Sequence, residues 1–219
     1  MESLLLVRHA FAGSNRDRIA SCAVPGEGLT AEGVEQARLL ATRLADQEIA
    51  LGVASELART QETLELVLGG RAVRRLVVGD LNEIGFGSFA DGPLDEYRAW
   101  AASHSPAKPA PGGGESRATA AARFAQGLRR MLERPESVVL HVGHALAVRY
   151  AIDAARGLVP APLMAPVEHA DAVLLRAAEV RSAAALLEDW SRSPRFRAPD
   201  ATSDRVGRSL RQQLSDPSI

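Results

Sequence analysis

The run Leu4-Leu5-Leu6-Val7 stops abruptly at Arg8-His9. Four apolar residues suit a buried strand and are far too few for a membrane span. A second run, Val138-Val139-Leu140-His141-Val142, stops in the same manner at Gly143-His144. Parallel strands of an open α/β sheet deliver their last residues to the carboxyl edge, where such sheets bind ligands. His9 and His144 are therefore expected to face one phosphate, with Arg8 beside them.

The rest of the chain alternates in step with these runs. Strand one covers about 3–8, followed by a polar loop from Gly13 to Gly28. Thr30 is a good N-cap for a helix running to about Asp46, with Val34, Ala37, Leu40, Ala41 and Leu44 on its apolar face. Ile49 to Ala54 reads as strand two. Ser55 is placed to cap the next helix, whose Leu57, Thr60, Leu64 and Leu68 point inward until Gly69-Gly70 stops it. Val73 to Val78 reads as strand three, 137–142 as the next strand with a helix at 145–156 behind it, and Val167 to Arg176 as a last strand. Residues 178–190 carry both helical and strand features. This alternation predicts an α/β fold: a mostly parallel central sheet flanked by helices on both faces, three layers in all.

Residues 79–114 break the rhythm. Gly, Asp and Phe dominate 79–93, a helix is expected over Leu94–Ala102 with Tyr97 and Trp100, and a Pro/Gly loop leads to Glu115, where a helix to about Glu133 begins. This segment reads as a lid insertion over the sheet edge. The catalytic domain is thus expected over 1–190. Arginines outnumber aspartates in 191–219, and apolar residues are scattered there, so that segment reads as a flexible tail.

A formal charge of −1 gives no electrostatic case for nucleic-acid or membrane binding. One cysteine, Cys22, rules out an intramolecular disulfide framework and a multi-cysteine zinc site. The spacing His141-x-x-His144 does not suit one metal ion, because strand residues three apart point to opposite faces. No signal-peptide pattern and no stretch of 18 apolar residues is legible, so the cytoplasm is the expected location. The expected partners are a small phosphorylated substrate and, at most, a second copy of the chain as a homodimer.

Four strand-end regions each supply a polar group: Arg8-His9, Arg59, Glu83 and His144. Two arginines can hold a phosphoryl group. One histidine can attack phosphorus while another stabilises the equatorial oxygens. A carboxylic acid can protonate the leaving oxygen and then take a proton from water. Asp80, Glu96 and Glu115 are other candidate acids. His104 reads as a surface histidine, while His169 lies close enough to a strand start to border the site.

In order along residues 3–177, these motifs resemble the histidine phosphatase superfamily, the branch of cofactor-dependent phosphoglycerate mutases and small-molecule phosphatases. The resemblance rests on Arg8-His9 with Asn15, on Gly28-Leu29-Thr30-x-x-Gly33-x-x-Gln36-Ala37, and on Ser55-Glu56-Leu57-Ala58-Arg59-Thr60. It extends through Leu81-x-Glu83-x-x-Phe86-Gly87, Gly114-Glu115-Ser116 and Gly143-His144 to Arg149. It implies His9 as the phosphorylated nucleophile, Glu83 as the proton donor, and Arg8, Arg59 and His144 as the phosphate pocket. Asn15 and Ala145 are implied on the substrate side, with no metal and no organic cofactor.

The chain departs from that pattern at Phe11 and Ala12, where the family usually has a glutamate and a hydroxyl residue. Ile84 and Phe86 stand where mutases typically carry an arginine and a tyrosine, and no paired-arginine stretch is legible in the insertion. The favoured expectation is a phosphomonoester hydrolase acting through a phosphohistidine on a small metabolite. The alternatives are a phosphoglycerate mutase-type isomerase and a catalytically weak phosphate-binding or interaction protein.

Overall fold

The computed structural model describes residues 1–198. Five strands form one sheet: β1 (Ser3–Arg8), β2 (Leu51–Ala54), β3 (Arg74–Val77), β4 (Val138–Gly143) and β5 (Ala172–Arg176), in the order β3-β2-β4-β1-β5. The β1, β2, β3 and β4 pairings are parallel, and β5 runs antiparallel to β1. The register sets Arg8 opposite Gly143, so His9 and His144 leave adjacent strands side by side at the carboxyl edge.

Strand periodicity sorts the core into two halves. Leu5 and Val7 of β1 and Leu140 and Val142 of β4 pack with Leu40 and Leu44, from α2 (Ala31–Arg43) and its C-cap, and with Leu64 and Val67 of α3 (Ala58–Leu68). Leu4, Leu6 and Val139 face the other way, onto Phe124 of α5 (Arg117–Leu132), Tyr150 of α6 (Ala145–Ala155) and Leu187 of α7 (Ala177–Arg192). Helices therefore cover both faces of a mostly parallel sheet, which is why its strands read as continuous apolar runs rather than alternating ones. Each fully buried leucine contributes about 1.5–3 kcal/mol through the water it leaves.

Local chemistry fixes most boundaries. Thr30 caps α2 as expected, its hydroxyl accepting from Gly33 N at 3.1 Å. Gly33 is required there, because a Cβ would lie 2.0 Å from the Phe11 carbonyl oxygen. Ser55 does not cap α3 as expected; Leu57 holds the N-cap position, and the Ser55 hydroxyl is occupied by His144 and Thr60. The helix expected from Glu115 is capped by Ser116 instead. Glu115 is withdrawn to accept from Gly85 N and to pair with Arg123. Residues 178–190 lie within α7, whose alanine-rich face packs on α5 and α6.

The last strand is shorter than its apolar pattern. After α6 the chain returns to the carboxyl edge, where Arg8 Nη1 donates to Val167 O and Ala170 N donates to Arg8 O. Residues 167–171 are used in these ties, so β5 starts at Ala172 and has to run back down the sheet. Arg149 of α6 holds the same loop through the Ala165 and Pro166 carbonyls.

Residues 79–114 comprise two short 3-10 turns, Gly79–Leu81 and Gly87–Phe89, and α4 (Leu94–Ser103); the remaining helix, α1 (Gly13–Arg16), is a single turn beside β1. Gly87 adopts φ +58°, and a Cβ there would meet the Pro111 oxygen at 2.1 Å. The expected tail from Ser191 begins differently, since α7 runs to Arg192 and Phe196 then packs beside Trp190. Residues 199–219 lie outside the described residues. Among the described residues no helix is long and apolar enough to cross a membrane.

Candidate active site

The carboxyl ends of β1 and β4 open into a cleft lined by Arg8, His9, Asn15, Arg59, Glu83 and Ala145. His144 closes its floor between Arg59 and Glu83. The fold thus brings together all seven residues singled out from sequence. Asp80 and Glu115 are committed elsewhere, to Arg130 and Arg123, and Glu96 does not line the cleft. His104 stacks on Trp100 away from it.

His9 is 3% exposed. Its Nδ1 lies 2.8 Å from the Ala10 carbonyl oxygen, which can only accept. Nδ1 must therefore carry the proton, which leaves the lone pair on Nε2. Burial lowers the His9 pKa well below the ordinary histidine value, and His144, Arg59 and Arg8 push the same way. The ring is kept neutral, as a nucleophile requires. His169 supports the segment: its Nδ1 bonds the His9 carbonyl at 2.8 Å, and its ring meets those of His9 and Phe11 edge-on.

His144 follows β4 as the N-cap of α6 and is fully buried. Its ring centroid lies 5.4 Å from that of His9. Nε2 bonds the Ser55 hydroxyl at 2.8 Å, while Nδ1 lies 3.4 Å from Arg59 Nη2 and 4.0 Å from Glu83 Oε2. Burial, then Arg59, lowers its pKa. Thr60 Oγ1 has the Leu57 carbonyl at 2.8 Å as an acceptor for its proton, so Ser55 can donate to Thr60 and accept from His144. The motif read as a helix cap is thus a bracket for the second histidine.

The arginines are held by some of their donors and leave others free. Arg59 Nη2 donates to Ser21 O at 2.9 Å, while its Nε and Nη1 are buried without partners among the described residues. Arg8 Nη1 donates to Val167 O at 2.7 Å and its Nε is likewise unpartnered. Burial lowers the Arg8 pKa to about 10, so it stays cationic at neutral pH. Unpartnered buried donors are costly unless an anion takes them. Glu83 accepts from Ile84 N at 3.0 Å. Burial raises its pKa, with Arg59 pulling the other way, so its acid form persists above the usual carboxylate range.

The departures at Phe11 and Ala12 are absorbed by backbone ties. Phe11 N donates to Gln36 Oε1 at 2.9 Å, and Ala12 N donates to Asn15 Oδ1 at 3.0 Å. Asn15 thereby keeps its amide NH2 for the cleft. Ile84, Phe86, Leu94, Leu146 and Met164 form an apolar wall above the polar floor. Phe86 packs edge-on against Tyr97 at 4.6 Å. Arg98 and Arg117 also line the cleft, and no motif in the sequence pointed to either.

The model of the histidine phosphatase superfamily, branch 1, matches residues 4–199. The chain is similar to the adenosylcobalamin/alpha-ribazole phosphatase of Escherichia coli, 40% identical over 86 residues, which is 39% of this chain and 42% of that one. The Salmonella typhimurium protein of the same name is 33% identical over 119 residues, 51% of this chain and 58% of that one. The chain thus spans about half the length of the curated relatives it matches. The solved alpha-ribazole phosphatase of Shigella flexneri superposes with a TM-score of 0.67 at 28% identity, covering 78% of this chain and 89% of that one.

Proposed function

The chain belongs to branch 1 of the histidine phosphatase superfamily, and on that premise we propose that it hydrolyses a small phosphomonoester through a phosphohistidine on His9. The observation that carries this is the neutral His9 ring with its Nε2 lone pair, set beside guanidinium donors that have no partner among the described residues. Nε2 attacks phosphorus in line, and the bond to the leaving oxygen breaks. Protonated Glu83 gives that oxygen its proton. Arg8, Arg59, His144 and the first N–H groups of α6, starting at Ala145, hold the equatorial oxygens. In the second half Glu83, now ionised, takes a proton from water. The water oxygen attacks phosphorus, the P–N bond breaks, and phosphate leaves with His9 restored.

Segment 79–114 acts as the lid in this reading, supported by the cleft residues it supplies from Glu83 to Arg98. Its apolar wall suits a substrate with a hydrophobic part. The similarity to alpha-ribazole phosphatases supports a small phosphorylated metabolite as substrate. A cytoplasmic setting belongs to the proposal and agrees with the single unpaired Cys22. So does a homodimer, for which the open outer edge of β3, with Val77 half exposed, offers a pairing surface.

The test is a turnover screen over sugar phosphates, nucleotides, phosphoglycerates and phosphorylated amino acids, with wild type and His9→Ala side by side. Wild type is expected to release phosphate at least about a thousandfold faster than the variant. Equal turnover would contradict the proposal. Transfer to 2-phosphoglycerate outrunning phosphate release would make the protein a mutase.

A further inference from the structure

Arg117 is the first residue of α5, where the helix dipole disfavours a cation, yet it is only 7% exposed. Its Nη1 donates to the Tyr150 hydroxyl at 3.2 Å, the Tyr97 hydroxyl lies beside it, and its Nε is buried without a partner among the described residues. Both phenols are neutral, and among the described residues no carboxylate pairs with this guanidinium. A buried charge without a counter-ion is expensive unless something outside the protein completes it. Arg98 stands nearby on α4. It is held only by Asp95 at 3.3 Å, in a pair more than half exposed on both sides, and such pairs contribute little.

Both arginines line the catalytic cleft and also a side cleft that opens from it. The two clefts share Arg8, Arg98, Arg117, Ala145 and Met164, and the side cleft continues past Pro162, Leu163 and Pro166. One phosphoryl group at His9 engages Arg8 and Arg59. Two further cations then face the same space, while Glu83 is the sole carboxylate among the described residues that line either cleft. We propose that Arg98 and Arg117 form a second anion subsite, which takes a carboxylate or second phosphoryl group at the far end of the substrate. The preferred substrate class is then a phosphomonoester that carries a second negative charge beyond an apolar middle. This rests on the phosphomonoester reading above and names the substrate more closely.

The experiment measures calorimetric binding of three short-chain phosphonates, none of them hydrolysable. One ends in a carboxylate, one in that carboxylate's methyl ester, and one in a second phosphonate. Wild type is expected to bind the two doubly charged ligands roughly tenfold or more tighter than the ester. The tighter of the two identifies the anion. Arg98→Gln, an exposed change that does not threaten folding, is expected to erase most of the preference. Arg117→Gln should do the same, and Arg117→Lys, which keeps the charge, should restore part of it. Equal binding of ester and acid by wild type, or a preference that survives both glutamine variants, would overturn the proposal. Hydrolysis of the matching phosphate esters separates the two readings. Preference in binding without any hydrolysis removes the hydrolase and leaves the subsite. Hydrolysis without preference removes the subsite alone.

Discussion

The floor and the wall of the cleft are built by different rules. The floor stands on strand ends. Arg8, His9 and His144 follow runs whose residues are almost wholly buried, and Ser55 and Ala10 fix the two rings through single hydrogen bonds. The wall is made of loops and helix starts: Ile84, Phe86, Tyr97, Arg98, Arg117 and the 162–167 turn. Its aromatic residues pack edge-on, and Arg117 keeps a buried Nε that no described residue takes. In the proposed reading the floor performs the chemistry, and the wall selects the molecule that receives it. Glu83 belongs to both, because it rides on the wall segment and reaches the floor.

That contrast can be broken first at Glu83. Glu83→Gln removes the proposed proton donor and is expected to lower kcat by about 10²–10⁴-fold. It should also change the pH profile of kcat/KM. The Glu83 pKa is raised by burial, so its working acid form is present at low pH and is lost as pH rises through that value. The His9 pKa is lowered, so its neutral nucleophile is present down to acidic pH and is lost only below the depressed value. The wild type is therefore expected to show an alkaline limb set by Glu83 and an acid limb set by His9. The variant should lose the alkaline limb. A profile unchanged in shape would place the acid elsewhere.

A smaller effect sharpens the floor. Ser55→Ala deletes the bond to His144 Nε2 and leaves the charges in place. A net hydrogen bond of this kind contributes about 1 kcal/mol, so kcat should fall by roughly fivefold to tenfold. If Ser55 only shapes the start of α3, thermal unfolding will shift while kcat stays put. If it positions His144, kcat falls and Ser55→Thr, which keeps the hydroxyl, restores it.

The floor was legible in the sequence because it is written in periodicity. Two apolar runs ending in Arg8-His9 and Gly143-His144 read as buried parallel strands, and the register in the structure puts the histidines side by side. Arg59 and Glu83 followed from the motifs around them. The direction of β5 was not legible, since it depends on a loop that is pulled back to the carboxyl edge by Arg8, His9 and Arg149. Ser55 was misread because a serine before a helix has two uses, and only tertiary structure shows that His144 takes it. Residues 178–190 stayed ambiguous because apolar runs there fit either period until α5 and α6 are in place. Arg98 and Arg117 carry no local signal at all. They lie 19 positions apart on separate helices, and only the folded cleft makes them neighbours of one space.

The central claim is covalent, and its most direct measurement is a rapid-quench reaction with a phosphomonoester labelled in the phosphoryl group. The predicted result is a protein-bound label that survives base, is lost in acid, maps to His9, and is absent in His9→Ala. Label on any other residue, or full turnover by His9→Ala, would contradict the account.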